Sequence, residues 1–172
     1  MTVCRKHPGR GKAFTLLELI LVMIILCVVL AMAAPSLRGF FSSHQLNDIA
    51  EQIVVMTRYA KIQSAFQSRT YRLNFDMNER RCWISVQGET QYELLKQSFG
   101  NDFLIPNDLT VTFEDVPEEA GLYYFEFNPA GYANTGRVRL EDNQDNILDI
   151  VCCSPSENFE IFEVVDGQEQ YQ

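Results

Sequence analysis

The 172-residue chain holds only two histidines and one tryptophan, and beyond Arg139 it contains no lysine or arginine at all. The shortage of histidine removes most catalytic readings. His7 lies in a basic N-terminal stretch and His44 in a helical pattern, so neither serine nor cysteine has a base to draw on. No phosphate-binding loop, no helical His pair for zinc and no CxxC redox pair occurs. The expectation is a chain with no catalytic residue, no cofactor and no metal. The missing C-terminal bases leave nine acidic residues unanswered, from Glu141 to Glu169, and the whole chain carries a formal charge of −9. Such a surface repels phosphate backbones, so a nucleic-acid partner is not expected.

What is present begins at the N-terminus. Met1 to Ala13 contains Arg5, Lys6, Arg10 and Lys12 and no acid, while Leu19 to Ala34 is free of charge and is closed by Pro35. Counted from Phe14, the apolar segment reaches the roughly 20 residues needed to cross a bilayer. The positive-inside bias predicts a cytoplasmic start, with the rest of the chain outside. Glu18 interrupts this picture. An acid inside a spanning helix costs about 2.5–3.5 kcal/mol on insertion scales and by default marks a function. A secretory signal cut after Ala31-Met32-Ala33, leaving Ala34 as the new start, and a plain anchor are the alternatives. Neither gives Glu18 a purpose.

Lys12-Ala13-Phe14-Thr15-Leu16-Leu17-Glu18, with the apolar run and Pro35 behind it, resembles the processing segment of type IV pilins and type II secretion pseudopilins. The resemblance implies that a prepilin peptidase cuts between Ala13 and Phe14 and methylates the new amine of Phe14. It also implies that Glu18 serves assembly and that Pro35 bends the helix. Ala13 departs from the usual glycine before the cut, but is small enough for the same slot. A lone ammonium beside apolar surface is costly unless paired, and Glu18 of the same or a neighbouring subunit offers the partner. Removing 13 residues leaves 159, with ten of the 14 bases facing all 23 acids.

Beyond Pro35, Leu46, Ile49, Ile53, Met56 and Ala60 recur at three- and four-residue spacings and predict an amphipathic continuation of the helix to about Ser68. From Arg69 the period becomes two. Tyr71-Leu73-Phe75 and Cys82-Ile84-Val86, joined by a turn at 77–80, read as a hairpin, and further strands are expected at 109–113, 123–127, 137–140, 147–151 and 159–165. The fold class is thus α+β, a long N-terminal helix packed on an all-β head of about seven or eight antiparallel strands. The expected divisions are a leader (1–13), a membrane helix (14–34), a stalk (35–68) and a head (69–172). Export would permit a disulfide from Cys82 to Cys152 or Cys153. Equally, these cysteines fit as small buried strand residues. Asp142 to Asn146 offers oxygen ligands but lacks a calcium loop's glycine and closing glutamate, so it reads as a solvated turn.

Arg58 to Ala65 leading into Tyr71-Arg72-Leu73, and Phe127-Asn128-Pro129-Ala130-Gly131, are similar to the helix-to-strand passage and Phe-x-Pro-x-Gly turn of H-type minor pseudopilins and their FimT-like relatives. This resemblance implies a minor pseudopilin at the tip of a periplasmic pseudopilus. Its partners would be the prepilin peptidase, other major and minor pseudopilins, the inner-membrane secretion platform and the membrane itself. A FimT-like minor pilin in pilus assembly or DNA uptake is the alternative, as is an ordinary anchored or secreted β-domain.

Overall fold

The computed structural model describes residues 15–95, 102–165 and 168–171, without the side chains of 32–43, 165 and 168–171. One helix, α1, spans Leu16–Gln67, within two residues of both predicted ends. It runs through Pro35 without ending; the side chains there, and with them the expected bend, lie outside the described residues. The chain divides into two units, Met1–Gly39 and Phe40–Gln172.

In the first unit, every described side chain from Leu16 to Leu30 is solvent-accessible on all sides of the helix. A helix that is apolar all round has no inward face of its own and must be covered by something else.

In the second unit α1 is amphipathic. Leu46, Ile49, Ile53, Met56 and Ala60 are buried as their spacing predicts, and Ala50, Val54, Thr57 and Ser64 widen the stripe. Among the described residues eleven strands follow in two antiparallel sheets, where seven or eight were expected. The first sheet holds β1 (Tyr71–Asp76), β2 (Arg81–Gln87), β3 (Tyr92–Leu94), β4 (Phe103–Leu104), β6 (Glu118–Glu119) and β7 (Leu122–Phe127), in the order β3-β2-β1-β7-β6 with β4 also on β2. The second holds β5 (Thr110–Glu114), β8 (Gly136–Glu141), β9 (Ile147–Cys152), β10 (Glu160–Val165) and β11 (Gln168–Tyr171), in the order β11-β10-β9-β8-β5. All seven expected strands are present. The additional four are two to four residues long, too short for alternation to announce them.

The β1–β2 hairpin has Tyr71 opposite Val86 and Asp76 opposite Arg81. Its turn is closed by Asp76, whose Oδ1 accepts the Asn78 and Glu79 amides at 2.8 and 3.1 Å. Alternation sends Tyr71, Leu73, Phe75, Cys82, Ile84, Phe125 and Phe127 inward with Val138, Leu140, Leu148 and Ile150 of the second sheet, all against the helical stripe. Aromatic edges join the sheets: Phe113 of β5 stacks on Tyr123 of β7 at 4.2 Å and meets Phe75 of β1 at 5.3 Å.

Candidate functional site

Ala13 and Phe14, where cleavage and methylation are expected, lie outside the described residues. Thr15 is the first residue described, and it caps α1. Its Oγ1 accepts the Glu18 amide at 3.3 Å, and its carbonyl accepts the amides of Glu18 and Leu19 at 3.1 and 3.2 Å. Thr15-Leu16-Leu17-Glu18 therefore has the spacing of a capping box, with threonine at the cap and glutamate in the first turn. Sequence reasoning assigned Glu18 to pairing alone and missed this second role, although the T-x-x-E spacing carries the signal. A carboxylate in the first turn also faces the positive end of the helix dipole. The same position thus orders the helix start and places a negative charge in its first turn. In the first unit Leu16 is 77% exposed and Leu30 67%. Among the described residues, no helix is long and apolar enough to cross a membrane.

The other end of α1 is fastened to the head by three side chains. Lys61 Nζ donates to the carbonyls of Ser156 and Glu157 at 2.8 and 2.6 Å. Ser64 Oγ donates to the Asn128 carbonyl at 3.0 Å, and Arg69 Nε to the Gln87 carbonyl at 3.0 Å. Asn128 opens the Phe-x-Pro-x-Gly turn singled out in the sequence. Its Oδ1 accepts the amides of Ala130 and Tyr132, and Gly131 supplies the positive φ of 79° that the turn requires. The motif is therefore a helix-docking turn as well as a connection between strands.

On the outer face of the first sheet, Arg72 lies between two aromatic rings, its guanidinium carbon 4.0 Å from the Tyr92 centroid and 4.1 Å from that of Tyr124. Its Nε and one terminal nitrogen pair with Glu126 and Glu119, each at 2.8 Å. The network spans β3, β1, β7 and β6, so a central-strand arginine holds both short edge strands. Burial opposes its charge, while its hydrogen bonds to Glu119 and Glu126 outweigh that and raise its pKa. Of the neighbouring Tyr123 and Tyr124, the second belongs to this outer face. Only Tyr123 faces inward. Arg80 gathers the carbonyls of Ile105, Pro106 and Leu109, and Arg81 pairs with Asp102 at 2.8 Å.

On the second sheet Asp149 is wholly buried between Arg139, at 2.7 Å, and Arg137, at 3.1 Å. The last two basic residues of the chain are thus committed to an internal carboxylate.

Cys82, Cys152 and Cys153 are free thiols in this structure. Cys82 faces the interior from β2 and Cys152 from β9, as the alternative reading had it, while Cys153 is exposed. Burial pushes the Cys82 thiol well above its usual range and the Cys152 thiol upward, the latter tempered by Lys61 and the Ser154 backbone. Among the described residues no cluster of His, Cys, Asp or Glu is suited to a metal ion. Asp142, expected in a solvated turn, is buried; its Oδ1 accepts the amides of Gln144 and Asn146 at 2.8 and 3.0 Å, and its Oδ2 the Asn146 side chain at 2.8 Å. The turn uses its own carboxylate as an internal cap.

Residues 10–34 match the family described as the prokaryotic N-terminal methylation motif. No curated protein matches the chain. Two solved structures of the minor pseudopilin EpsH from the type II secretion system of Vibrio cholerae are similar in fold. One has a TM-score of 0.57 at 12% identity, covering 72% of this chain and 99% of that one; the other has 0.50 at 9%, covering 74% and 93%. The type IV minor pilin FimU of Pseudomonas aeruginosa gives 0.46 at 14%, covering 77% and 92%. The matched proteins are subunits of pilus-type assemblies and not enzymes. A prepilin-type methylation motif at one end and a helix-plus-two-sheet head with the fold of a minor pseudopilin at the other make this chain type IV pilin-like.

Proposed function

We propose that the chain is a minor pseudopilin of a type II secretion system, a structural subunit of the pseudopilus tip that helps export folded proteins across the outer membrane. The observation that carries this reading is the pairing of the methylation motif at 10–34 with a head whose fold matches nearly the whole EpsH chain. In this reading the leader, residues 1–13, stays in the cytoplasm until a prepilin peptidase cuts before Phe14. The charge-free run then anchors the chain in the inner membrane by a single pass and the head stands in the periplasm. Glu18 receives the new amine, its own or a neighbour's, and so sets the axial register of assembly. The leader's four bases cannot enter an apolar packing interface without unpaired charge, so processing is the switch that permits assembly.

A role in DNA uptake fits less well. Its phosphate contacts would need free bases on the C-terminal strands, and Arg137 and Arg139 are engaged with Asp149.

The test is the mass and N-terminal sequence of the protein from membranes of hosts with and without the peptidase. A start at methylated Phe14 only with the enzyme supports the pilin class; a start at Ala34 in both, or an intact Met1, overturns it. Deletion of the gene in its own host then separates systems. Lost export of folded proteins supports secretion, whereas intact export with lost piliation or DNA uptake favours the pilus.

A further inference from the structure

Beside Arg72, the outer face of the first sheet holds a polar side chain that is buried and only half satisfied. Asn74 of β1 keeps 7% of its surface in solvent. Its Nδ2 donates to Ser85 Oγ at 2.9 Å and to the Trp83 carbonyl at 3.3 Å, both on β2, with the Arg72 carbonyl at 3.4 Å. The nitrogen is thereby fixed toward β2. The amide oxygen points away from its nitrogen, so Oδ1 is turned toward β7, where Tyr124 stands opposite Asn74. Among the described residues nothing donates to that oxygen. A buried acceptor without a donor is costly, and native structures leave few of them. Asn74 lies in the floor of a cleft of about 220 Å³ on this same side of β1. Leu122, Tyr124 and Ala120 form its apolar walls, and Arg72 and Glu119 its polar rim. One ordered water needs only roughly 10–15 Å³. The cleft has room for a larger guest.

We propose that this cleft binds a primary ammonium group on an alkyl stem, the chemistry of a lysine side chain. The unclaimed group at the floor is an acceptor, so the guest must donate. The local charge selects a cationic donor, because Arg72 is one cation shared between two carboxylates, Glu119 and Glu126. Only Oε2 of Glu119 is used in that pair, which leaves its Oε1 as a second acceptor at the rim. The walls suit methylene groups, since long basic side chains lay their stems along apolar surface and bring their heads to polar atoms. The ammonium then donates to Asn74 Oδ1 and Glu119 Oε1 and answers the carboxylate in excess. Other guests fit less well. A calcium ion takes roughly six to eight oxygen ligands, and among the described residues no metal-binding cluster occurs. A guanidinium seeks flat stacking partners, and the slot between Tyr92 and Tyr124 is already filled by Arg72. A neutral sugar satisfies the floor but leaves the charge unanswered. The cleft is built entirely within the head, so it does not depend on how the N-terminal segment is processed. An alkylammonium reaches it either on a lysine of a partner protein or as a small free diamine.

The test is a nuclear magnetic resonance titration of the isotope-labelled full chain, held in uncharged detergent micelles, with Nα-acetyl-lysine methylamide. The Asn74 side-chain amide is the reporter, because a donor arriving at Oδ1 shifts the hydrogens on Nδ2. The expected result is a saturable shift at Asn74 and at the backbone of 119–124. The norleucine analogue, which keeps the stem and lacks the ammonium, should bind at least tenfold more weakly. Glu119→Gln keeps the shape of an exposed side chain and should weaken binding of the lysine derivative at least threefold. Glu160→Gln removes the same charge from the other sheet and should bind as before. Cadaverine separates the sources at about 0.15 M salt, where long-range attraction is screened. Tighter binding than the lysine derivative assigns the site to a free diamine, and equal or weaker binding assigns it to a protein-borne lysine. The absence of a saturable shift, an equal response to the norleucine analogue, tighter binding of methyl glucoside, or unchanged binding by Glu119→Gln would each overturn the proposal.

Discussion

Arg72 sits over the ring of Tyr124 at 4.1 Å while its other face meets Tyr92 at 4.0 Å, so that one guanidinium is stacked on both sides and paired at its edge. A planar cation fits that slot and an ammonium does not. Arg72→Lys is expected to cost about 1–2 kcal/mol through lost stacking and the loss of simultaneous pairing with Glu119 and Glu126. Hydrogen exchange should localise the damage, with amides of β3 and β6 exchanging faster and those of β9 unchanged. Equal loosening of both sheets would show that the arginine does not act as a tie across the first.

Asp149 is the buried member of a pair whose arginines keep about 30% of their side-chain surface in solvent. Removing it strands two cations, and breaking a buried pair from one side costs about 3–5 kcal/mol. Because the arginines can turn to water, Asp149→Ala should fall at the lower end, read as a lower midpoint in urea. A double substitution with Arg139→Ala should cost less than the sum of the singles.

Gly136 has φ of 155°, and a Cβ there would stand 2.9 Å from Val116 Cγ2 and 3.0 Å from the Asp115 carbonyl. Gly136→Ala should therefore destabilise the head by about 1–3 kcal/mol through strain and overlap. Gly121→Ala, where nothing lies within 4 Å, isolates the backbone strain alone and should cost less.

The thiols give a pH test. Burial raises the folded-state pKa of Cys82 and of Cys152. The unfolded chain thus releases those protons at lower pH than the folded one, and their contribution to stability, complete below about pH 8, is lost as pH rises from there toward the raised values. Unfolding free energy should fall on the alkaline side, and Cys82→Ala should remove part of that slope. Native labelling at pH 7.5 should modify Cys153 and spare Cys82 and Cys152.

At the N-terminus, Thr15→Val keeps shape but removes the cap, which is worth about 1 kcal/mol to the helix start. Glu18→Ala removes the charge as well. Under the proposed function both are processed, Thr15→Val still assembles and Glu18→Ala does not. Normal incorporation of Glu18→Ala would refute the pairing role.

How much of this was legible in sequence depends on length and on distance. The seven strands of five to seven residues repeat an apolar residue at alternate positions, and each was found. Glu118–Glu119 and Phe103–Leu104 are too short to hold a period, and Glu118–Glu119 looks like surface charge. In the helix, Leu46 and Ile53 declared themselves by hydropathy, whereas Thr57 and Ser64 are buried because their hydroxyls donate to carbonyls, Thr57 to Val54 at 2.7 Å, which no polarity scale records. Alternation with Tyr71 and Leu73 puts Arg72 on the outer face. Its partners come from positions 92, 119, 124 and 126, and no local pattern links them. Thr15 is the opposite case: its cap is spelled out in four consecutive residues and was overshadowed by the chemistry expected of Glu18.

The three fastenings at the end of α1 also have a mechanical meaning. Lys61, Ser64 and Arg69 reach three separate places on the head, the 154–157 loop, the Asn128 turn and the end of β2. A pull directed along the helix loads them side by side, so they must yield together instead of one after another. Any tension carried by the helix would thus be spread over both sheets, and the head would resist as a block rather than peel strand by strand.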